Sequence, residues 1–189
     1  MQIEYEISFP NVNEEELRQK ITALGGSQTK PKTLMRRAVF RHPTISTAYA
    51  RVRDEGNKIT CTYKHVVNPD HVEWVQELEC EVSDFATMQN ILKAMGVEQK
   101  SYQETYREIW HINDEIEVVI DEWPGLAPFC EIEWPSEEVV KKYVELLWFD
   151  RSNGLFGAVD QIFQQELGLE PDYLNNLEEI TFTNIPWEK

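Results

Sequence analysis

Acidic and basic side chains recur at every second position inside segments that otherwise read as β-strands: Glu4-Tyr5-Glu6, Arg51-Val52-Arg53, Glu77-Leu78-Glu79-Cys80-Glu81 and Glu131-Ile132-Glu133. Successive strand side chains point to opposite faces, so each set stands on one face and its apolar neighbours on the other. Adding same-phase residues of the remaining strand-like runs gives Glu4, Glu6, Arg51, Arg53, Lys64, Glu77, Glu79, Glu81, Arg107, Asp121, Glu131 and Glu133, from seven strands. On one strand such a pattern is most often a solvated face. Across seven it argues for the lining of a cavity, where carboxylates beside Arg and Lys would hold divalent metal ions and a polyanion such as a triphosphate. Burying an isolated carboxylate costs several kcal/mol, so many acids in one cavity call for cations, Arg or Lys partners, or water. Hard oxygen ligands with little histidine or thiolate competition suit Mg²⁺ or Mn²⁺ better than zinc. His42, His65, His71 and His111 show no metal-ligand spacing, and no G-x-x-x-x-G-K loop occurs, so phosphate would be held by side chains and metal.

The elements that must position these groups follow from period and punctuation. Residues 2–9 alternate as a strand ended by Pro10; Asn13 with Glu16 three residues on predicts a helix start, with Leu17, Ile21 and Leu24 on one stripe and Gly25-Gly26 as its stop. Strands are expected at 34–41, 48–53, 58–65 and 74–82, then a helix capped by Ser83 and closed by Gly96. Further strands are expected at 102–112, 116–122 and 129–134, with Pro124-Gly125 as a turn. From Ser136 the period is helical to Gly168, with one stripe on Val140, Tyr143, Val144 and Leu147 and another on Leu155, Val159, Ile162, Phe163 and Leu167. The tail beyond Glu170 shows no clear period. About eight short strands with interspersed helices imply an antiparallel α+β fold whose sheet curls into a barrel, helices outside.

The 189 residues suffice for one sizeable domain, expected to span 1–189 including the C-terminal helices and tail, with no repeat or linker to divide it. Three cysteines without a C-x-x-C pair, each in a strand-like run, read as reduced, buried thiols in a cytoplasmic protein. No apolar run approaches a membrane span. A net charge of −16 and a pI near 4.6 argue against nucleic acid as a partner and leave a small anion held by a local cationic cluster. A homodimer is left open.

In order along the chain, Glu4-Tyr5-Glu6-Ile7-Ser8, Ala50-Arg51-Val52-Arg53, Thr62-Tyr63-Lys64, the segment 77–81, and Ile120-Asp121-Glu122-Trp123-Pro124-Gly125-Leu126 through Glu131-Ile132-Glu133 resemble the motifs of the CYTH superfamily, the triphosphate tunnel metalloenzymes. The resemblance implies a closed eight-stranded antiparallel tunnel that binds triphosphates with Mg²⁺ or Mn²⁺. It implies metal ligation by Glu4, Glu6 and Glu133, with Asp121 and Glu131 at a second ion, and phosphate contacts from Arg51, Arg53, Lys64 and Arg107, with Arg53 beside the three glutamates in catalysis. The expected activity is hydrolysis of inorganic or organic triphosphate. The alternatives are a class IV-like adenylyl cyclase and a non-catalytic polyphosphate- or nucleotide-binding protein. The chain departs from the pattern at Ser8, in place of a signature lysine, and at Thr105, where a basic residue often stands. Arg36, Arg37 and Arg41 are candidates to compensate, on faces that alternation alone does not assign.

Overall fold

The computed structural model of the chain describes residues 5–66, 75–134, 136–157 and 159–188. Strand β1 (Tyr5–Phe9) leads to α1 (Glu14–Ala23), whose start is capped by the Asn13 side chain accepting from the Glu16 N–H. Strands β2 (Gly26–Arg41), β3 (Ala48–Asp54), β4 (Ile59–Val66) and β5 (Val75–Glu81) precede α2 (Phe85–Ala94). Then come β6 (Gln99–Ile112), β7 (Ile116–Glu122), β8 (Phe129–Trp134), α3 (Glu137–Leu146), α4 (Asp160–Leu167), α5 (Pro171–Asn175) and β9 (Glu179–Ile180).

All strands join one sheet in the order β1-β8-β7-β6-β2-β3-β4-β5, every neighbouring pair antiparallel, with β9 added in parallel to β6. The expected closed eight-stranded barrel is therefore corrected to a nine-stranded sheet that hydrogen bonds do not close. At the free edge of β1 the reason is visible: Leu155 takes both the N–H and the C=O of Ser8, at 2.9 and 2.8 Å, the groups that β5 would have needed. The unassigned tail supplies α5 and β9, a contribution too short to leave a period in the sequence.

Helices cover the outer face. Helices α1 and α3 lie over β1, β7 and β8, burying Ile7, Ile21, Ile120, Ile132, Val144 and Leu147 together. Helix α2 seats Leu92 against Ala38, Phe40 and Val52. Ridges of buried aliphatic side chains of this kind contribute about 1.5 to 3 kcal/mol each. Two local expectations shift. Strand β2 begins at Gly26 instead of residue 34, continuing through Pro31 by register shifts at Gln28/Lys30 and Lys30/Thr33. Asp84, not Ser83, caps α2 by accepting from the Thr87 N–H. The cysteines form no disulfide, but only Cys130 is buried; Cys61 is half-buried and Cys80 is exposed, because no helix covers the outer face of β5 there.

Candidate active site

Strand register decides which side chains share the inner face. Glu6 lies opposite Glu133 and Ser8 opposite Glu131 across β1 and β8. Glu133 faces Glu117, and Asp121 faces both Phe129 and Arg107, across β8, β7 and β6. Continuing around the sheet, Gln103 pairs Arg37, Arg37 pairs Arg53, Arg51 pairs Thr62, and Lys64 pairs Glu77. With a period of two, one unbroken face thus carries Glu6, Arg51, Arg53, Lys64, Glu77, Glu79, Glu81, Arg107, Asp121, Glu131 and Glu133. Every described member of the charged set stands on it. Glu4 lies outside the described residues.

Charge is unevenly spread over the face, with acids on β1, β7 and β8, cations on β2, β3 and β4, and acids again on β5. Carboxylates crowd β1, β7 and β8, and burial with the neighbouring Glu131 and Glu133 charges raises the Glu6 carboxyl well above the ordinary range. Burial pushes Glu131 up to about 7 despite Arg107, and burial with Glu117 alongside pushes Glu133 up to about 7. Arg107 stands between the halves: its Nη2 bonds Asp121 and lies 2.7 Å from Glu131, and these acids outweigh burial and hold the guanidinium firmly charged. Across the cavity, Lys64 Nζ meets Glu77 at 2.7 Å and Thr62 Oγ1 donates to Glu79 at 2.7 Å.

The arginines are the less satisfied half. Burial and the nearby Arg51 charge lower the Arg53 pKa, and the same causes bring Arg37 down to about 9. Arg37 Nε donates to Gln103 Oε1 at 2.7 Å and its guanidinium lies 4.2 Å from the centroid of Trp123. Among the described residues no carboxylate lies within ion-pair distance of Arg37. Among the described residues three buried polar side-chain atoms have no partner: Arg51 Nε, Thr60 Oγ1 and Ser101 Oγ. All three residues are on the inner face by register. Unpartnered donors facing a cationic wall are what an oxyanion would satisfy.

The open questions of face are settled. Arg37 is inside, Arg36 is outside and pairs Asp54 at 2.6 Å, and Arg41 is exposed. Ser8 is buried on the inner face beside the acids, and Thr105 is buried opposite Met35. Sequence reasoning missed Glu117 and named Arg37 only as one of three candidate cations without a face. Glu117 follows from alternation back from Asp121; Arg37 was masked by the adjacent Arg36, which offers the opposite phase. Among the described residues no group of three or more His, Cys, Asp or Glu side chains is gathered tightly enough to enclose a metal ion. Glu6, Glu131 and Glu133 nevertheless fit a divalent ion in chemistry, as hard oxygen donors whose mutual repulsion a cation would relieve.

A family model for the CYTH domain matches residues 2–155. The chain belongs to the CYTH family. No curated protein sequence matches it. Solved structures share the fold at low identity. The PH1012 protein of Pyrococcus horikoshii superposes with a TM-score of 0.69 at 22% identity, covering 80% of this chain and 94% of its own. A Vibrio parahaemolyticus protein described as a candidate adenylate cyclase gives 0.70 at 13%, covering 86% and 98%. HpAC1 of Hippeastrum, described as having a dominant triphosphatase activity, gives 0.56 at 14%, covering 90% and 98%. The CYTH match takes in every charged residue of the inner face and stops before α4, α5 and β9. Among the described residues no helix is long and apolar enough to cross a membrane.

Proposed function

We propose that the chain is a metal-dependent triphosphatase that binds inorganic or organic triphosphate within the charged face. The observation that carries this reading is the opposition, on one continuous face, of Arg37, Arg51, Arg53 and Lys64 to Glu6, Glu131 and Glu133. The basic wall would grip phosphate oxygens, with Arg51 Nε, Thr60 and Ser101 gaining the acceptors they lack. Glu6 and Glu133 would hold Mg²⁺ or Mn²⁺, with Glu4 as a third ligand and Asp121 and Glu131 at a second ion. When bound, such an ion neutralises phosphate charge and lowers the pKa of a coordinated water. Arg107, already bound to Asp121 and Glu131, orients those acids. Arg53, paired among the described residues only at 3.9 Å with Glu55, would stabilise charge gathering on the leaving phosphate. The reading includes a cytoplasmic setting, in keeping with three free cysteines, and a fold in which 159–188 belongs with the rest.

One observation favours a binding-only protein: Ser8, on the inner face, has its backbone tied to Leu155 and brings no cation to the acids. Incubation with tripolyphosphate, thiamine triphosphate and ATP in Mg²⁺ or Mn²⁺ separates the outcomes. Orthophosphate release supports the triphosphatase, cyclic AMP with pyrophosphate would replace it by a cyclase, and affinity without turnover by a binding module.

A further inference from the structure

Beyond residue 155, where the CYTH match ends, the chain crosses one end of the sheet. At that end the inner face changes from ionised to aromatic: Phe129 lies opposite Asp121, and Trp123 continues the same alternation. Ile162 and Phe163 of α4 and Leu174 of α5 bury both aromatics. The stack runs on, with Trp123 and Phe163 at 5.9 Å and Phe163 and Trp187 at 5.1 Å, both edge to face. Trp187 sits on the turn at Gly125, where a Cβ would come within 2.7 Å of its Nε1; the residue is also at φ +75°, so the turn requires glycine twice over. The segment is fixed at both sides. Leu155 pairs Ser8 on β1, and β9 pairs Tyr102 and Gln103 on the stretch of β6 beyond the last β7 pair, Tyr106 with Glu122. Residues 159–188 hold seven Asp and Glu and no Lys, Arg or His.

We propose that this C-terminal segment makes the cavity single-ended, so that a polyphosphate is held by its free terminal phosphoryl group, lodged at Arg37 and Arg53 against the Trp123 wall. The inference rests on the triphosphate reading of the cavity. An apolar plug bars a polyanion by volume, and a segment with seven carboxylates and no cation offers it no counter-charge. Arg37 lies on the Trp123 ring of the plug itself, and Arg53 stands opposite it across β2 and β3, a pairing of like charges that an anion relieves. A terminal phosphoryl, which carries more charge than an internal one, answers that need best. Trp123 acts here as a positioning residue: its ring holds the Arg37 guanidinium from one side while Gln103 holds it from another.

The full chain tests this directly, with Ca²⁺ replacing Mg²⁺ to slow turnover. Calorimetry against linear tripolyphosphate and cyclic trimetaphosphate compares ligands with equal phosphorus count, of which the ring has no end. Sedimentation with long polyphosphate of two defined lengths counts protein molecules per chain. The expected results are at least tenfold preference for the linear form and two protein molecules per chain at either length. Equal affinity for the ring, or a count that grows with length, overturns the inference while leaving the triphosphate reading intact; no binding of linear tripolyphosphate overturns both. Trp187→Ala, checked for fold by circular dichroism, should lower the linear preference severalfold, with Trp187→Phe as the milder opening if alanine unfolds the chain. A folded Trp187→Ala with the wild-type preference removes the segment from this role.

Discussion

At the scale of single residues, the inner face is held in unequal balance: the acids are too close together and the arginines too poorly paired. Arg53→Ala should weaken triphosphate binding by about 2 to 5 kcal/mol, the cost of breaking a desolvated charge contact; calorimetry showing less than about 1 kcal/mol would make Arg53 a solvated group. The raised acids predict a pH dependence of stability. Glu131 and Glu133 shift from an ordinary 4.5 to about 7 on folding, so the folded state binds protons more tightly between those values. Their contribution is complete below pH 4.5 and lost as pH rises through 7, on the order of 3 kcal/mol each at most. Thermal melts without divalent ions should therefore show Tm falling from pH 5 to 7.5, Glu131→Gln should flatten the fall, and Mg²⁺ should restore Tm above pH 7 only. Ser8→Lys adds an ammonium beside these acids, and higher kcat/KM with tripolyphosphate is expected if a missing cation limits turnover; an unchanged or lower value ends that explanation. Much of this site was legible because charge at a period of two survives in sequence. That Arg51 Nε, Thr60 Oγ1 and Ser101 Oγ lack partners was not, since it depends on which strands become neighbours.

At the scale of elements, caps and stripes located α1, α2 and α3 to within a residue or two, and Asn13 and Ser136 act as expected. The stripe begun at Leu155 was read as helix five residues early: α4 starts at Asp160, and Leu155 instead pairs Ser8 on β1. Strand β2 was misjudged at its start because Lys30, Pro31 and Lys32 carry no strand pattern of their own; long pairing with β6 holds them extended. One element is anchored by an ion pair on the outer face. Glu108 of β6, with its side chain 2% exposed, accepts from Arg18 of α1 at 2.8 and 3.0 Å, from Gln28 at 2.9 Å and from Trp110 at 2.6 Å. Burial alone would raise its pKa, but the bonds from Arg18 and Trp110 win and lower it. Arg18→Ala should leave a buried carboxylate short of its counter-charge and cost about 3 kcal/mol at pH 7. The lowered pKa places this contribution above the ordinary carboxylate value, so the loss should shrink as pH falls toward 4. Urea melts at the two pH values check both parts; equal losses would mean that Arg18 acts by packing alone.

For the whole molecule, the architecture was legible in outline and wrong at its seam. Eight alternating segments imply a curled antiparallel sheet, but nothing local reveals that Leu155 would occupy the edge of β1 or that residues 179–180 would add a ninth strand. Both are contacts between distant parts of the chain, and only packing selects them. The same seam has a temporal consequence. Strand β1 finds its partner only in β8, with Ser8 opposite Glu131, and while the end of β2 can pair β3 at once, its start must wait for β6, with Gly26 opposite Ile112. Closing loops of such length precedes any reward from the pairing, so assembly should be slow, in the millisecond-to-second range of folds dominated by distant contacts. Dilution from denaturant, followed by tryptophan fluorescence, should show no microsecond recovery of native signal. On the ribosome β1 must stay without its β8 partner until Phe129–Trp134 has emerged.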